Sequence, residues 1–98
     1  MDYYPHELVD RFRDDIIRIA AHHGATNVRV FGSVARRDDR RNSDVDLLVQ
    51  FEPGRSIFDH VGLVQDLEAC IGKSVDVVTE SSLHWYIRDR VLAEAIEL

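Results

Sequence analysis

The chain has 98 residues, of which 45% are hydrophobic and 31% are charged, and its formal net charge is −6. This is the length of one small domain, 1–98, with the composition of a globular rather than a disordered chain. No apolar run approaches the roughly 18 residues that a membrane helix needs, and the acidic balance disfavours a protein that grips a nucleic-acid duplex. One dense basic cluster, Arg36, Arg37, Arg40 and Arg41, is of a size that suits a nucleoside triphosphate.

The expected location follows from the N-terminus and from the cysteine count. The N-terminus lacks the basic and apolar regions of a signal peptide. The single cysteine, Cys70, cannot form an internal disulfide and lies in an apolar stretch. We therefore expect a soluble cytoplasmic protein with a buried thiol.

The first predicted element is a helix that begins near Pro5, a residue favoured in the first helical turn. It ends at His22 and His23, and Gly24 follows as a C-terminal glycine would. Neighbouring histidines on a helix do not face one site, which favours a place near the helix C-terminus over a metal pair. Its apolar residues recur at helical spacing: Leu8, Val9, Phe12, Ile16, Ile19 and Ala20.

The rest of the chain alternates between strands and helices. A short strand over 28–31 stops at Gly32, and Ser33 is the expected N-cap of a short helix through about residue 38. The second strand covers 44–51, the third 75–79, and a long helix from Ile57 to Ile71, ended by Gly72, lies between them. A last helix is predicted over 83–98. The order is αβαβαβα.

The topology of the sheet follows from these connections. The helix between the second and third strands suits a right-handed parallel crossover. The Gly32–Ser33 end of the first strand reaches the start of the other two only if the first strand runs antiparallel to the second. We therefore predict an α/β (α+β) fold with a small, mixed, three-stranded sheet flanked by helices.

This topology gathers three acids at one edge of the sheet. Asp44 and Asp46 are two residues apart and point to the same face, and Asp76 opens the next parallel strand. Such carboxylates repel one another unless a cation lies between them, and Mg²⁺ is the natural occupant. Two such ions about 3.5–4 Å apart would clamp an in-line displacement. Across the site, Ser33 and the N–H groups after Gly32 can hold phosphate oxygens.

Each of these features also has an ordinary structural explanation. Asp-x-Asp is a common pair, an Asp at a strand start is often a turn residue, and Gly-Ser before a helix is often a cap. The combination favours a site, because Asp76 inside the apolar sequence VDVV is costly to bury without a partner.

Gly32-Ser33, ten intervening residues and Asp44-Val45-Asp46 resemble the Gly-Ser-x10-Asp-x-Asp signature of the DNA polymerase beta-type nucleotidyltransferase superfamily. Asp76 falls where the third carboxylate of that superfamily is expected. The short chain resembles the minimal nucleotidyltransferases, which often act as antitoxins paired with small all-helical HEPN toxins. Members of that group transfer AMP from ATP to a tyrosine of the toxin.

The resemblance implies a palm-like fold and a role for each motif residue. Asp44, Asp46 and Asp76 would be catalytic metal ligands for Mg²⁺, as two ions, with Mn²⁺ as an alternative. Asp76 would also orient or deprotonate the attacking hydroxyl. Gly32, Ser33 and Arg36 would hold the triphosphate of ATP. Many members have glycine where this chain has Arg37, which leaves the conformation of that loop and the role of Arg36 open.

Two other functions stay open: a non-catalytic antitoxin that neutralises its partner by binding, and nucleotidyl transfer to RNA. The intact acids disfavour the first, and the acidic charge without an added nucleic-acid-binding domain disfavours the second. The last helix has more apolar residues than one core-facing stripe needs, which predicts a docked toxin partner; the alternatives are that this chain's own core or a second copy in a homodimer covers both faces. These residues are Trp85, Tyr86, Ile87, Val91, Leu92, Ala95 and Ile96.

Overall fold

The computed structural model describes residues 2–98. Its order of helices and strands follows the predicted one except at the two ends of the chain. The elements are α1 (Pro5–Arg11), α2 (Arg13–His22), β1 (Ala25–Phe31), α3 (Gly32–Arg36), β2 (Val45–Phe51), α4 (Ile57–Ile71), β3 (Val75–Val78), a 3-10 turn (Glu80–Ser82), α5 (Trp85–Glu94) and β4 (Ile96–Glu97).

The sheet is mixed and has four strands in the order β3-β2-β1-β4. Strand β1 runs antiparallel to β2, and β2 runs parallel to β3, which confirms the predicted topology of these three strands. The fourth strand, β4, was not predicted and lies antiparallel to β1 at the edge of the sheet.

The prediction of a helix over 83–98 is wrong at both ends. The helix begins only at Trp85 and ends at Glu94, and Ala95 is extended. Ile96 pairs with Val30 of β1, and the N–H of Leu98 donates to the carbonyl of Val28 at 3.1 Å. The edge of β1 needs partners for its backbone groups, and this long-range pairing outweighs the local helical pattern.

The first predicted helix is interrupted once. Pro5 occupies the first turn of α1 as predicted, but Phe12 adopts a non-helical conformation and separates α1 from α2. Gly24 follows α2 with a φ of +76°, as expected of a C-terminal glycine. His23 contacts the carboxylate of Asp66 in α4 through Nε2 at 2.6 Å.

The hydrophobic core lies between one face of the sheet and helices α2 and α4. Its most buried side chains include Leu47 of β2, Ile16 of α2, and Leu63 and Leu67 of α4. Because side chains alternate along a strand, this core fixes Asp46, next to Leu47, on the opposite face. The core therefore orients the acids.

Cys70 is half-buried rather than fully buried as predicted, and burial raises the pKa of its thiol. Within residues 2–98, every helix is too short or too polar to cross a membrane.

Candidate active site

The three predicted acids lie at the N-terminal edge of β2 and β3. Asp46 and Asp76 are direct partners in the parallel register, on neighbouring strands that are about 4.8 Å apart. Asp44 lies two residues before Asp46, just ahead of β2. Asp46 also pairs with Phe31, so Gly32 and Ser33 follow directly at the same edge. The structure thus brings the two halves of the motif together.

The pKa of Asp46 reflects both the burial of its side chain and its acidic neighbours at this edge. Burial of this side chain, and then the charges of Asp76, Asp44 and Glu94, raise the pKa of Asp46 to about 6, although Arg36 opposes the shift. Burial is the largest cause of the raised pKa, and the charges of the neighbouring acids add to it more than Arg36 offsets.

The carboxylate oxygens of the acids suit a hard divalent cation, but the side chains are not already arranged around one metal position. Carboxylate oxygens are the ligands that Mg²⁺ prefers, and the excess negative charge favours a cation. Within residues 2–98, however, no three His, Cys, Asp or Glu side chains are placed closely enough to hold a metal ion. Asp44 and Asp76 are exposed, so the expectation that Asp76 is buried at a cost is wrong, and both side chains can change rotamer when a cation binds.

Gly32 lies directly against Asp46. It has a φ of +71°, and a Cβ at this position would overlap the Asp46 carboxylate. Glycine is therefore required here both by the backbone conformation and by the close approach of the acid. Gly32 therefore allows the turn from β1 into α3 to lie against the Asp46 carboxylate.

The N-cap of α3 is Phe31, and the prediction that Ser33 has this role is wrong. Ser33 is the second residue of the helix. The first N–H of α3, that of Gly32, donates to a carboxylate from a distant part of the chain instead of to a neighbouring side chain. Glu94 of α5 accepts the N–H of Gly32 at 2.6 Å through Oε1.

Glu94 is the one residue at this edge that the sequence did not reveal. Its second oxygen, Oε2, accepts a hydrogen bond from Nη1 of Arg36 at 3.0 Å. No motif contains this position, and the apolar pattern predicts that it lies inside a long C-terminal helix. In the sequence it is one of two acids, with Glu97, in the otherwise apolar segment 91–98, and nothing there distinguishes it.

The predicted cluster of four arginines does not converge on one ligand. Arg36 lies beside the acids, whereas Arg37 bonds to Asp10 of α1 at 3.0 Å and Arg41 lies over the ring of Tyr4. Arg37 has a φ of +58°, the region that favours glycine. The position where many superfamily members have glycine therefore keeps a glycine-like backbone in this chain.

The loop between α3 and β2 is tied to α1 by a buried carboxylate. Asp39, whose side chain is fully buried, accepts the backbone N–H of His6 at 2.9 Å and contacts its Nδ1 at 2.8 Å. Burial raises the pKa of Asp39, but the hydrogen bonds from His6 outweigh it and the net pKa is lowered. This anchor fixes the segment that leads to Asp44.

A surface cavity of about 460 Å³ lies away from the acids, at the C-terminal ends of β2 and β3. Its lining includes Arg29, Gln50 and Glu80, and none of the predicted site residues. A second cavity, of about 370 Å³, borders Asp44. The geometry of the motif, rather than the larger cavity, therefore defines the candidate site.

Comparison with known proteins gives consistent matches along the chain. The model of the nucleotidyltransferase domain family matches residues 9–98. A candidate protein adenylyltransferase of Methanocaldococcus jannaschii is 40% identical over 90 residues, which cover 92% of this chain and 97% of that protein. Protein adenylyltransferase MntA of Thermococcus cleftensis is 41% identical over 73 residues, 74% of each chain.

Solved structures support the same fold. The structure of a candidate minimal nucleotidyltransferase matches with a TM-score of 0.86 and 47% identity, covering 100% of this chain and 97% of that one. A toxin–antitoxin complex with AMP-PNP matches with a TM-score of 0.73 and 22% identity, covering 86% of this chain and 69% of that one. At that identity, the second match shows the fold alone.

Proposed function

Because the chain belongs to the nucleotidyltransferase domain family, we propose that it transfers AMP from ATP to a hydroxyl group of a partner protein. One observation carries the proposal: Asp46 lies opposite Asp76 and against Gly32, so the carboxylates and the phosphate-binding segment of the motif meet at one edge. The names of the two similar adenylyltransferases support AMP as the transferred group.

The acids would hold the divalent cation that the triphosphate brings. We assign Asp44, Asp46 and Asp76 to Mg²⁺, as two ions, with Mn²⁺ as a substitute. A bound divalent cation supplies charge stabilisation for the triphosphate and for the pyrophosphate that leaves. The raised pKa of Asp46, which burial and the neighbouring acids cause, supports this assignment, since a cation would relieve the repulsion.

The reaction assigns one role to each side of the site. The acceptor oxygen forms a bond to the α-phosphorus of ATP, the bond from that phosphorus to the β-phosphate oxygen breaks, and pyrophosphate leaves. The proton of the acceptor hydroxyl passes to the carboxylate of Asp76. Gly32, Ser33 and Arg36 hold the triphosphate through their hydrogen-bond donors, and this positioning supplies much of the rate.

The acceptor is proposed to be a tyrosine of a small, all-helical toxin of the HEPN type, so that this chain acts as its antitoxin in the cytoplasm. A toxin partner is proposed because a toxin–antitoxin complex with AMP-PNP shares this fold. Trp85 is 85% exposed and Tyr86 is 66% exposed at the start of α5. Exposed aromatic residues are typical of interface residues, so α5 is the proposed docking surface. A second copy of this chain is the alternative occupant.

Labelled ATP distinguishes the proposed reaction from its alternatives. The purified chain is mixed with the helical product of the adjacent gene, transfer RNA, Mg²⁺ and ATP labelled on either the α- or the γ-phosphate. The proposal predicts that the α-label enters the partner, that the γ-label does not, and that EDTA prevents incorporation. Label in RNA would favour the nucleic-acid alternative, and neutralisation of the partner without any label would favour the non-catalytic antitoxin.

A further inference from the structure

Glu94 uses both of its carboxylate oxygens at the edge of the candidate site. Oε1 accepts the backbone N–H of Gly32 at 2.6 Å, and Oε2 accepts a hydrogen bond from Arg36 at 3.0 Å. The Glu94 side chain is only 18% exposed and the Arg36 side chain is 47% exposed, so water competes less for the Gly32 N–H than for Arg36. Hydrogen bonds to an ionised group are about twice as strong as neutral ones, and the contact with Arg36 is charged on both sides.

These two donors are among those that the proposed function assigns to the triphosphate. A carboxylate oxygen and a phosphate oxygen are both anionic acceptors, and the single N–H of Gly32 cannot make a full hydrogen bond to both. We infer that Glu94 is an internal competitor of the triphosphate: it holds Gly32 and Arg36 in the free protein, ATP must displace it, and it thereby sets the affinity for ATP. This inference rests on the proposed function and adds to it a residue that controls nucleotide affinity.

The position of Glu94 in the fold allows such a displacement. It is the last residue of α5, and Ala95 after it is already extended. The buried residue of this helix, Val91, lies almost one turn earlier. The Glu94 side chain can therefore leave Gly32 while Val91 keeps its place, and the core need not be disturbed.

A purely structural role for Glu94 makes the opposite prediction. If the carboxylate only fastens α5 to α3, its removal lowers the thermal stability and leaves ATP binding unchanged or weaker. If it competes with ATP, its removal makes ATP bind more tightly. The sign of the change in ATP affinity therefore separates the two roles.

Glu94→Gln is the test variant, because the amide keeps the size of the side chain and removes its charge. Glu97→Gln is the matched control: it makes the same change of charge at an exposed position three residues away in β4. Binding of ATP with Mg²⁺ is measured by titration calorimetry. We expect about tenfold tighter binding in Glu94→Gln, on the scale of a charged hydrogen bond, and no change in Glu97→Gln.

Each result of the titration has a distinct meaning. Tighter binding that is confined to Glu94→Gln, together with a change in the Glu94 carboxyl resonance of the unaltered protein when ATP binds, supports the inference. Equal or weaker binding in Glu94→Gln overturns it and leaves the proposed function standing. No binding of ATP by the unaltered protein or by either variant overturns the proposed function, and the inference with it.

An NMR measurement on the unaltered protein does not depend on a stable variant. The chain has five glycines, so the Gly32 amide resonance can be assigned in a sparsely populated region of the spectrum. The contact with a carboxylate predicts a downfield Gly32 amide proton in the free protein. Titration with ATP and Mg²⁺ should shift this resonance and the side-chain carboxyl resonance of Glu94 together. If the Glu94 carboxyl resonance does not change when ATP is bound, the inference is wrong.

Discussion

Gly32 and Asp46 touch across the end of the β1–β2 pair, and the carboxylate of Asp46 fills the space that a side chain at position 32 would need. This relationship explains why the glycine of the motif and its second carboxylate belong together although 13 residues separate them in the sequence. Gly32 leaves free the space that the Asp46 carboxylate occupies, and it is also proposed to contact the phosphates.

Gly32→Ala should therefore displace the Asp46 carboxylate and abolish nucleotide transfer. The left-handed backbone alone should cost about 1–2 kcal/mol in free energy of unfolding. Gly72→Ala is a matched control, because Gly72 has a φ of +72° and nothing lies within 4 Å of an added Cβ. Thermal melts of both variants and the labelled-ATP assay provide the measurements. Full activity in Gly32→Ala would show that the contact with Asp46 does not matter.

Asp46→Asn should stabilise the metal-free protein above pH 6. Burial, followed by the charges of Asp76, Asp44 and Glu94, raises the pKa of Asp46 to about 6 from an ordinary value of 3.8. Protonation of Asp46 therefore stabilises the folded protein increasingly as the pH falls from about 6 toward 3.8. Well above pH 6 this stabilisation is absent, because Asp46 is charged in both the folded and the unfolded protein. After allowance for solvent screening, the gain from Asp46→Asn is about 1 kcal/mol at pH 7.5, or a rise of about 5 °C in Tm.

The measurement is a series of thermal melts in EDTA between pH 4 and pH 8. The difference between Asp46→Asn and the unaltered protein should shrink as the pH falls toward 4. Asp89→Asn, at an exposed position of α5, makes the same change of charge and serves as the control. A difference in Tm that stays constant over this range would contradict the raised pKa of Asp46.

Asp39→Asn should destabilise the fold, because it breaks a buried anchor between α1 and the α3–β2 loop. The carboxylate accepts two contacts from His6, and replacing it with an amide leaves a buried donor or acceptor unsatisfied, at a cost of about 1–3 kcal/mol. Asp10→Asn removes only an exposed ion pair with Arg37 and should change stability by less than about 1 kcal/mol. Urea unfolding compares the two. Equal effects would mean that the Asp39 anchor contributes little.

The central part of the fold could be predicted from the sequence because its signals are local. Gly72 ends α4 with a left-handed φ, and the apolar run after Asp44 forms β2. The directions of β1, β2 and β3 followed from the requirement that Gly32 and the acids share one edge. Parallel pairing of β2 and β3 puts Asp76 beside Asp46, as predicted.

The parts that could not be predicted depend on contacts between distant residues. Residues 96–97 form β4 because the edge of β1 offers backbone partners, although the apolar residues before them recur at helical spacing. The N-cap of α3 is Phe31 rather than Ser33, and the N–H of Gly32 donates to Glu94, a contact with a residue distant in the sequence. Neither the break in the first helix at Phe12 nor the buried pair of Asp39 and His6 has a signature in the sequence.

The central claim is that this chain attaches AMP to a hydroxyl of a protein partner through its acids. Its most direct test is co-expression with the product of the adjacent gene, followed by intact-mass measurement of both chains, for the unaltered protein and for Asp44→Asn. The account predicts a partner heavier by one or more AMP units with the unaltered protein, and an unmodified partner with Asp44→Asn. A partner of unmodified mass in both cases, or the same increase in mass with Asp44→Asn, would contradict it.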